Sequence, residues 1–205
     1  MAMTDGLRER KKAETRTALT SAALRLAQEL GPDGVTVEAI AEAAGVSPRT
    51  FFNYFPSKED AIVGVSPNES TQLLADLVAR PEGEDALESL HAMALTAAVR
   101  LEADADDLWA RHQLAEVHPP LAMRRAARFT AVERVLAEEV ARRTGLDVVR
   151  DPYPTLAAST ALGAIRVAMA VWNERGRPGP LADAMDETFT LLARGLPAPV
   201  PVATA

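Results

Sequence analysis

Residues 36–58 constrain the fold of this chain more than any other stretch, because their spacing predicts two short helices joined by a tight turn. Thr36 suits the N-cap of a first helix, since its hydroxyl can accept from an unpaired amide one turn on. Gly45 suits the left-handed conformation that often ends a helix. Ser47 and Pro48 then provide an N-cap and a first helical position, about three residues later. The pattern is that of a helix-turn-helix.

The second of these helices, predicted over residues 48–54, has an apolar side and a polar side. Phe51 and Phe55 are spaced i, i+4 and can anchor the helix in a core. Arg49 and Asn53 carry donors that suit base edges, and the neighbouring hydroxyl groups can hold phosphates. No acidic residue occurs between Ala43 and Lys58. This helix is therefore predicted to face DNA.

A further helix is predicted to start at Ser57, after the helix-breaking Pro56. Lys58 lies in its first turn, where a cation opposes the helix dipole. A phosphate bound between Lys58 and the helix N-terminus would account for a lysine at this position.

The stretch GVSPRTFFNYFPSKEDAI, residues 45–62, resembles the signature of the TetR family of bacterial one-component transcriptional repressors. The resemblance rests on the turn glycine, the Thr-aromatic-aromatic step at residues 50–52, the aromatic residue at 54 and the Ser-Lys-Glu helix start at 57–59, and it covers roughly the first third of the chain. It implies contacts to the DNA backbone and to bases from two sets of residues. The complete set predicted to bind DNA is Thr36, Ser47, Pro48, Arg49, Thr50, Phe52, Asn53, Tyr54 and Lys58.

Composition favours an all-α chain. Aromatic residues make up 4% of the 205 residues, alanine and leucine are abundant, and no sustained alternating run of β-branched residues is present. There is no cysteine, and the N-terminus has no apolar segment typical of a signal peptide, so we expect a cytoplasmic protein. The net charge of −7 is compatible with DNA binding, since binding requires one basic face. Five basic residues cluster ahead of the motif: Arg8, Arg10, Lys11, Lys12 and Arg16.

Breaks in the helical pattern divide the chain into three parts. Residues 1–66 are predicted to form an N-terminal three-helix DNA-binding domain with the helix-turn-helix, its first helix running from about residue 6 to residue 30. Residues 67–196 are predicted to form a C-terminal helical bundle that binds a ligand and mediates dimerisation, and the Pro/Ala-rich residues 197–205 a disordered tail.

The last two helices are predicted over residues 154–172 and 181–192. The first is apolar and about long enough to span a bilayer, but Arg166 in its middle and its small residues favour a buried bundle helix. Members of the family that the chain resembles dimerise through their last two long helices. The predicted homodimer interface consists of Ala157, Ala161, Ala164, Ala168, Met185, Phe189 and Leu192.

A small-molecule effector is expected in a mostly apolar pocket of the C-terminal domain. The predicted lining is Met93, Ala97, Trp109, Gln113, Phe129 and Met169, with Arg125 and Arg128 near the opening. These aromatic and methionine residues can equally belong to a core, and the arginines can form a solvated helix face. The stretches RTFFNYFPSKEDA, residues 49–61, and ARPEGEDALESL, residues 79–90, with the Leu-rich helix between them, also resemble a TetR subgroup that senses acyl-CoA-like or other lipophilic ligands. This resemblance implies a ligand of that kind.

No catalytic constellation is evident, so the chain is not expected to be an enzyme and needs no cofactor or metal. His91, His112 and His118 lack the paired spacing of a zinc site and are expected to be hydrogen-bonded locally. The leading hypothesis is a homodimeric repressor that binds a palindromic double-stranded DNA operator and responds to a ligand. The alternatives are a helical enzyme or lipid carrier without genuine operator binding, and a structural DNA-binding protein without an effector.

Overall fold

The computed structural model describes residues 2–64 and 67–196, and these residues form helices and turns without a strand, as predicted for an all-α chain. A short 3-10 turn, Pro32–Gly34, follows the first helix. The helices are α1 (Ala2–Leu30), α2 (Val37–Ala43), α3 (Pro48–Phe52), α4 (Lys58–Val63), α5 (Pro67–Val78), α6 (Ala86–Ala103), α7 (Ala105–Val117), α8 (Pro119–Thr144), α9 (Pro152–Glu174) and α10 (Leu181–Ala193). The tail predicted for residues 197–205 lies outside the described residues.

The chain divides into two compact units that do not follow the predicted boundary throughout. The first unit joins α1 to α4 with Asp106–Arg128, and the second joins Pro67–Ala105 with the chain from Phe129. The sequence predicts residues 106–128 to be part of the C-terminal domain, whereas the segment belongs to the first unit and buries Ala115 and Leu121 in the core of that unit.

The first unit is built around two aromatic anchors of α3. Phe51 and Phe55 are fully buried, with ring centroids 5.8 Å apart. Around them lie apolar residues from α1, α2 and α4, and from α7 and α8 come Ala115 and Leu121. Leu19 and Ala23 of α1 are fully buried in this core. Together these residues hold the short helices α2 to α4, which have little stability of their own at five to seven residues each.

The second unit is a bundle in which α9 packs against α6 and α10. Its core takes residues from α6, the later part of α8, α9 and α10: Leu90, Met93, Leu136, Val140, Ala161, Ile165, Trp172, Met185 and Phe189 are among them. Trp172 also satisfies its indole nitrogen, which donates to the carbonyl of Gly179 at 2.8 Å.

Within the described residues, α9 is the one helix long and apolar enough to cross a membrane by length and composition, and 39% of its most apolar window is buried in the structure. Ala158, Ala161, Leu162 and Ile165 lie in the core of the second unit. This buried face favours the predicted bundle helix.

The predicted homodimer interface stays a prediction, but burial bears on its residues. The side chains of Ala161, Ala164, Ala168, Met185 and Phe189 are buried inside a single chain, which leaves them little surface for a partner subunit. Small residues on one helix face indicate that another backbone approaches closely, and here the approaching helices belong to the same chain. Of the seven predicted residues, Ala157 and Leu192 remain partly exposed.

Candidate DNA-binding surface and effector site

The helix-turn-helix forms with the caps that its sequence predicts. The hydroxyl of Thr36 accepts from the amide of Ala39 at 3.1 Å, and that of Ser47 accepts from the amide of Thr50 at 3.1 Å. Gly45 has φ of 68°, the left-handed conformation that a side chain would disfavour. The two caps fix where α2 and α3 begin.

Helix α3 presents one side to solvent while Phe51 holds the other side in the core. Pro48, Arg49 and Asn53 are exposed, and Phe52 keeps 57% of its surface exposed. Within the described part of the chain, the side chains of Arg49 and Asn53 form no hydrogen bond. Thr50 and Tyr54 are half-buried at the edges of this surface. The helix is shorter than predicted, since it ends at Phe52.

Lys58 has intramolecular partners that its sequence position did not indicate. Its ammonium nitrogen donates to the carbonyl of Val35 at 2.8 Å, to that of Pro32 at 3.0 Å and to that of Asp33 at 3.4 Å. The side chain thus ties the first turn of α4 to the 3-10 turn before α2. In this conformation the donors predicted to bind a phosphate are directed at the protein itself.

A second contact to the same turn comes from the junction of α7 and α8. Nε2 of His118 lies 2.9 Å from a carboxylate oxygen of Asp33. The hydrogen bond with His118 lowers the pKa of Asp33 below its ordinary value. The turn that precedes the helix-turn-helix is therefore held from two directions.

Arginines of α7 and α8 bind the end of α4. Arg111 donates to the carbonyl of Ile62 at 3.0 Å and to that of Thr20 at 3.3 Å. Arg128 reaches the carbonyl of Val63 at 3.5 Å, and burial lowers its pKa from the ordinary value. The carbonyls of Ile62 and Val63 belong to the last turn of α4, where intrahelical donors run out.

The predicted effector residues are distributed between the two units. Met93 and Met169 pack in the core of the second unit, where Ala97 is also buried and Phe129 is partly exposed. The other four belong to the first unit: Trp109, Gln113, Arg125 and Arg128.

Within the first unit, Trp109 and Arg125 both contact His112. The ring centroids of Trp109 and His112 are 5.0 Å apart, and a guanidinium nitrogen of Arg125 meets Nδ1 of His112. Trp109 therefore shares a compact unit with the DNA-binding helices, whereas the sequence placed it in a separate domain.

Two cavities in the second unit lie away from the predicted lining. One of about 240 Å³ is bordered by Asp85, Leu87, Glu88, His91, Phe189 and Ala193. The other, of about 110 Å³, lies beside the turn between α9 and α10 and is bordered by Trp172 and Arg175. Both are smaller than the roughly 300–1,000 Å³ usual for small-molecule sites. The effector site stays a prediction.

The histidines lie next to carboxylates. His118 meets Asp33 as described, and Nε2 of His91 lies 3.2 Å from Asp186, although no hydrogen bond forms at that geometry. The ring of His91 stacks on Phe189 with centroids 4.8 Å apart. The described residues contain no group of three or more potential metal ligands.

A capped helix-turn-helix with an exposed polar recognition helix, followed by a helical bundle, defines a DNA-binding transcriptional regulator. Known families agree: residues 19–62 match the family "Bacterial regulatory proteins, tetR family", and residues 84–197 match the "MftR C-terminal domain". This chain belongs to the TetR family.

One relative supports the same assignment, and two solved structures share the fold. The chain is 35% identical over 176 residues to the HTH-type transcriptional regulator TcmR of Streptomyces glaucescens, covering 83% of this chain and 78% of TcmR. Its fold is similar to that of the regulator FadR from Bacillus subtilis in complex with stearoyl-CoA, with a TM-score of 0.60, 21% identity and coverage of 87% and 98%. NalD of Pseudomonas aeruginosa, the secondary repressor of the MexAB-OprM multidrug efflux pump, has a TM-score of 0.59, 22% identity and coverage of 89% and 97%.

Proposed function

We propose that this protein is a cytoplasmic repressor that binds a palindromic operator as a homodimer and is released by a lipophilic or acyl-CoA-like small molecule. The observation that carries the proposal is the exposed face of α3, where Arg49 and Asn53 are available to base edges while Phe51 is fully buried. The helix is thereby held rigidly in a position to read the major groove.

The DNA part of the proposal is tested by selecting bound duplexes from a random library and then measuring affinity. Arg49→Ala is expected to cost about 1–3 kcal/mol on the selected site and to relax the preference at one base position. Arg25→Ala is the matched control, because Arg25 is exposed on α1 and paired with Glu29 at 3.1 Å. An equal loss for Arg49→Ala on selected and random duplexes would contradict a base contact.

The homodimer interface is proposed on the outward face of α9 and α10. Leu156, Thr160, Gly163 and Val167 follow one another along α9 with i, i+4, i+7 and i+11 spacing. Leu156 is 64% exposed and Val167 is 41% exposed, as is Leu191 on α10. An exposed apolar stripe on a bundle helix suits a self-complementary interface around a two-fold axis.

Charge at this stripe is expected to separate the subunits without unfolding them. Val167→Glu would place an unpaired carboxylate in an apolar interface, whereas Thr96→Glu adds the same charge on an exposed face of α6. Sedimentation should show monomers for the first variant and dimers for the second. Dimers in both variants would place the interface elsewhere.

The effector class is proposed from the apolar residues of the second unit and from the stearoyl-CoA that accompanies FadR, the similar structure. In the first unit, and independently of that core, Arg125 and Arg128 are proposed to bind an anionic group, since guanidinium groups pair with carboxylates and phosphates.

The operator complex should be titrated with long-chain acyl-CoAs, fatty acids and neutral hydrophobic compounds. Arg125→Gln should weaken release by the anionic compounds and leave release by neutral ones unchanged, with Arg134→Gln on the same helix as the control, since Arg134 is exposed and paired with Glu138. Release by neutral compounds alone in the wild-type protein would contradict the proposed binding of an anionic group.

A further inference from the structure

His118 is the single residue between α7 and α8, and the backbone around it is held in place. Its carbonyl accepts from the amides of Leu121 at 3.0 Å and Ala122 at 3.2 Å, where α8 begins. Leu121 is 1% exposed in the core of the first unit. Pro119 follows directly, and proline restricts the backbone of the residue before it. The position of His118 is therefore set by the packing of α8.

The imidazole ring of His118 is poorly placed for stability alone. The side chain is 12% exposed, and Nδ1 is buried without a hydrogen-bond partner in the described part of the chain. A buried polar atom without a partner costs free energy, which an apolar side chain in the same space would avoid. Nε2 lies 2.9 Å from a carboxylate oxygen of Asp33, but that side chain is 94% exposed, and a pair open to water contributes little to stability. The histidine is better explained by what its contact with Asp33 fixes.

Asp33 lies in the middle of the 3-10 turn, Pro32–Gly34, which precedes α2. Gly31 at the start of this turn has φ of 73° and ψ of 154°, a combination essentially limited to glycine. The amide of Gly34 donates to the carbonyl of Gly31 at 3.1 Å. A single turn of this kind has poor hydrogen-bond geometry and little stability of its own. Its position therefore depends on contacts from other segments of the first unit.

Two of the residues predicted to bind DNA are joined to this turn. Thr36 lies two residues after Gly34 and caps α2, since its hydroxyl accepts from the amide of Ala39 at 3.1 Å. Lys58 donates to the carbonyls of Pro32 and Asp33 in the turn itself. A displacement of the turn would therefore disturb the start of α2 and the first turn of α4 together.

We propose that His118 is a positioning residue for operator binding, which holds the turn Pro32–Gly34 through Asp33 and does not touch DNA itself. When this contact is lost, the turn can occupy several positions, and only some of them place α2 correctly on a duplex. Apparent affinity falls in proportion to the fraction of molecules that are competent to bind. The inference rests on the proposed operator binding and goes beyond it, because it gives the junction of α7 and α8 a role in that binding.

The test measures the affinity of folded protein for the selected operator and, separately, the urea midpoint of unfolding. His118→Leu removes the donor and fills the space, whereas His118→Gln keeps an N–H group that can donate to Asp33. Asp33→Ala removes the acceptor, and the double variant of Asp33→Ala with His118→Leu completes a cycle. His91→Leu is the matched control, because His91 also lies beside a carboxylate, 3.2 Å from Asp186, but in the second unit.

His118→Leu should weaken operator binding about five- to tenfold, the effect of one hydrogen bond, while its urea midpoint stays unchanged or rises. A histidine with a purely structural role would instead lower the midpoint and leave the affinity of the folded protein unchanged. His118→Gln should keep most of the wild-type affinity. In the Asp33→Ala background, His118→Leu should have no further effect, because the partner is already absent. His91→Leu should bind like the wild type.

Asp33→Ala provides an independent test, because it changes an exposed residue and does not depend on whether His118→Leu folds. Removal of an acid by itself favours DNA binding, so weaker binding by this variant would come from the lost contact. Unchanged or tighter binding by Asp33→Ala would overturn the inference.

Three further results would also overturn it: unchanged affinity in His118→Leu, an equal loss in His118→Gln, or additive losses in the double variant. Each of them leaves operator binding by the wild type intact and therefore refutes the inference alone. A wild-type protein that selects no site would refute the proposed function and this inference with it.

Discussion

Replacing Lys58 by methionine should destabilise the first unit, because the ammonium group joins two segments that are distant in sequence. Its two shorter hydrogen bonds, 2.8 and 3.0 Å long, end on carbonyls of the turn before α2. A hydrogen bond to a charged group contributes about 1.5–3 kcal/mol, and water can replace part of this at a half-buried site. We therefore expect a loss of about 2–3 kcal/mol, which shifts a urea midpoint by about 1 M or more.

The two tryptophans allow this loss to be assigned to the first unit. Trp109 lies in the first unit and Trp172 in the second, so a Trp172→Phe background leaves fluorescence from Trp109 alone. Arg25→Met serves as control, because its exposed pair with Glu29 should contribute less than about 1 kcal/mol. Unchanged stability in Lys58→Met, together with a salt slope of DNA binding reduced by about 0.9, would refute the structural role and support the phosphate contact predicted from the sequence.

Three further predictions concern stability. Arg143 is 3% exposed and donates to carbonyls of Leu77, Arg80 and Pro81, so Arg143→Met should lower the free energy of unfolding in urea by about 3–5 kcal/mol. The exposed Arg142→Met should cause a much smaller loss, and equal losses would contradict this reasoning. Gly64→Ala should lower the free energy of unfolding more than Gly45→Ala. Both glycines have positive φ, but of the two only Gly64 would bring a Cβ against a side chain, 2.6 Å away. Equal losses would show that the guanidinium group on α7 moves aside freely. The hydrogen bond from Arg80 lowers the pKa of Glu84 to about 2, so the ionised carboxylate stabilises the fold fully above about pH 4.5 and loses this effect as the pH falls toward 2. Glu84→Gln should therefore unfold more easily than the wild type at pH 7 and match its stability at pH 2. A difference in stability that persists at pH 2 would point to another cause.

Local signals predicted the helix-turn-helix well because its determinants lie within a few residues of one another. The caps at Thr36 and Ser47 and the glycine at 45 depend on hydrogen bonds over three or four residues and on one backbone angle. Proline is likewise tolerated at the first position of a helix, which Pro67 takes in α5.

Contacts between segments that are distant in sequence could not be predicted from local sequence patterns. The carbonyl partners of Lys58 lie 23–26 residues earlier in the chain, so no spacing rule connects them. The alanines of α9 could not be assigned to a core or to a subunit interface from the sequence. Small residues on one helix face indicate close approach of another helix, whether that helix belongs to the same chain or to a partner. Ala161 and Ala168 pack within one chain, and the proposed interface follows instead from which residues stay exposed.

The first unit is complete only when Asp106–Arg128 packs with the four helices from α1 through α4. A ribosome that has made residues 1–66 has not yet supplied Ala115 or Leu121 to the core, nor Arg111 to the end of α4. The DNA-binding half must therefore wait for a later part of the chain before it is complete, although it is encoded first. A chimaera that exchanges DNA-binding domains between relatives should carry residues 106–128 together with 1–66. A single junction at residue 66 would pack the transferred helices against the segment 106–128 of the other protein.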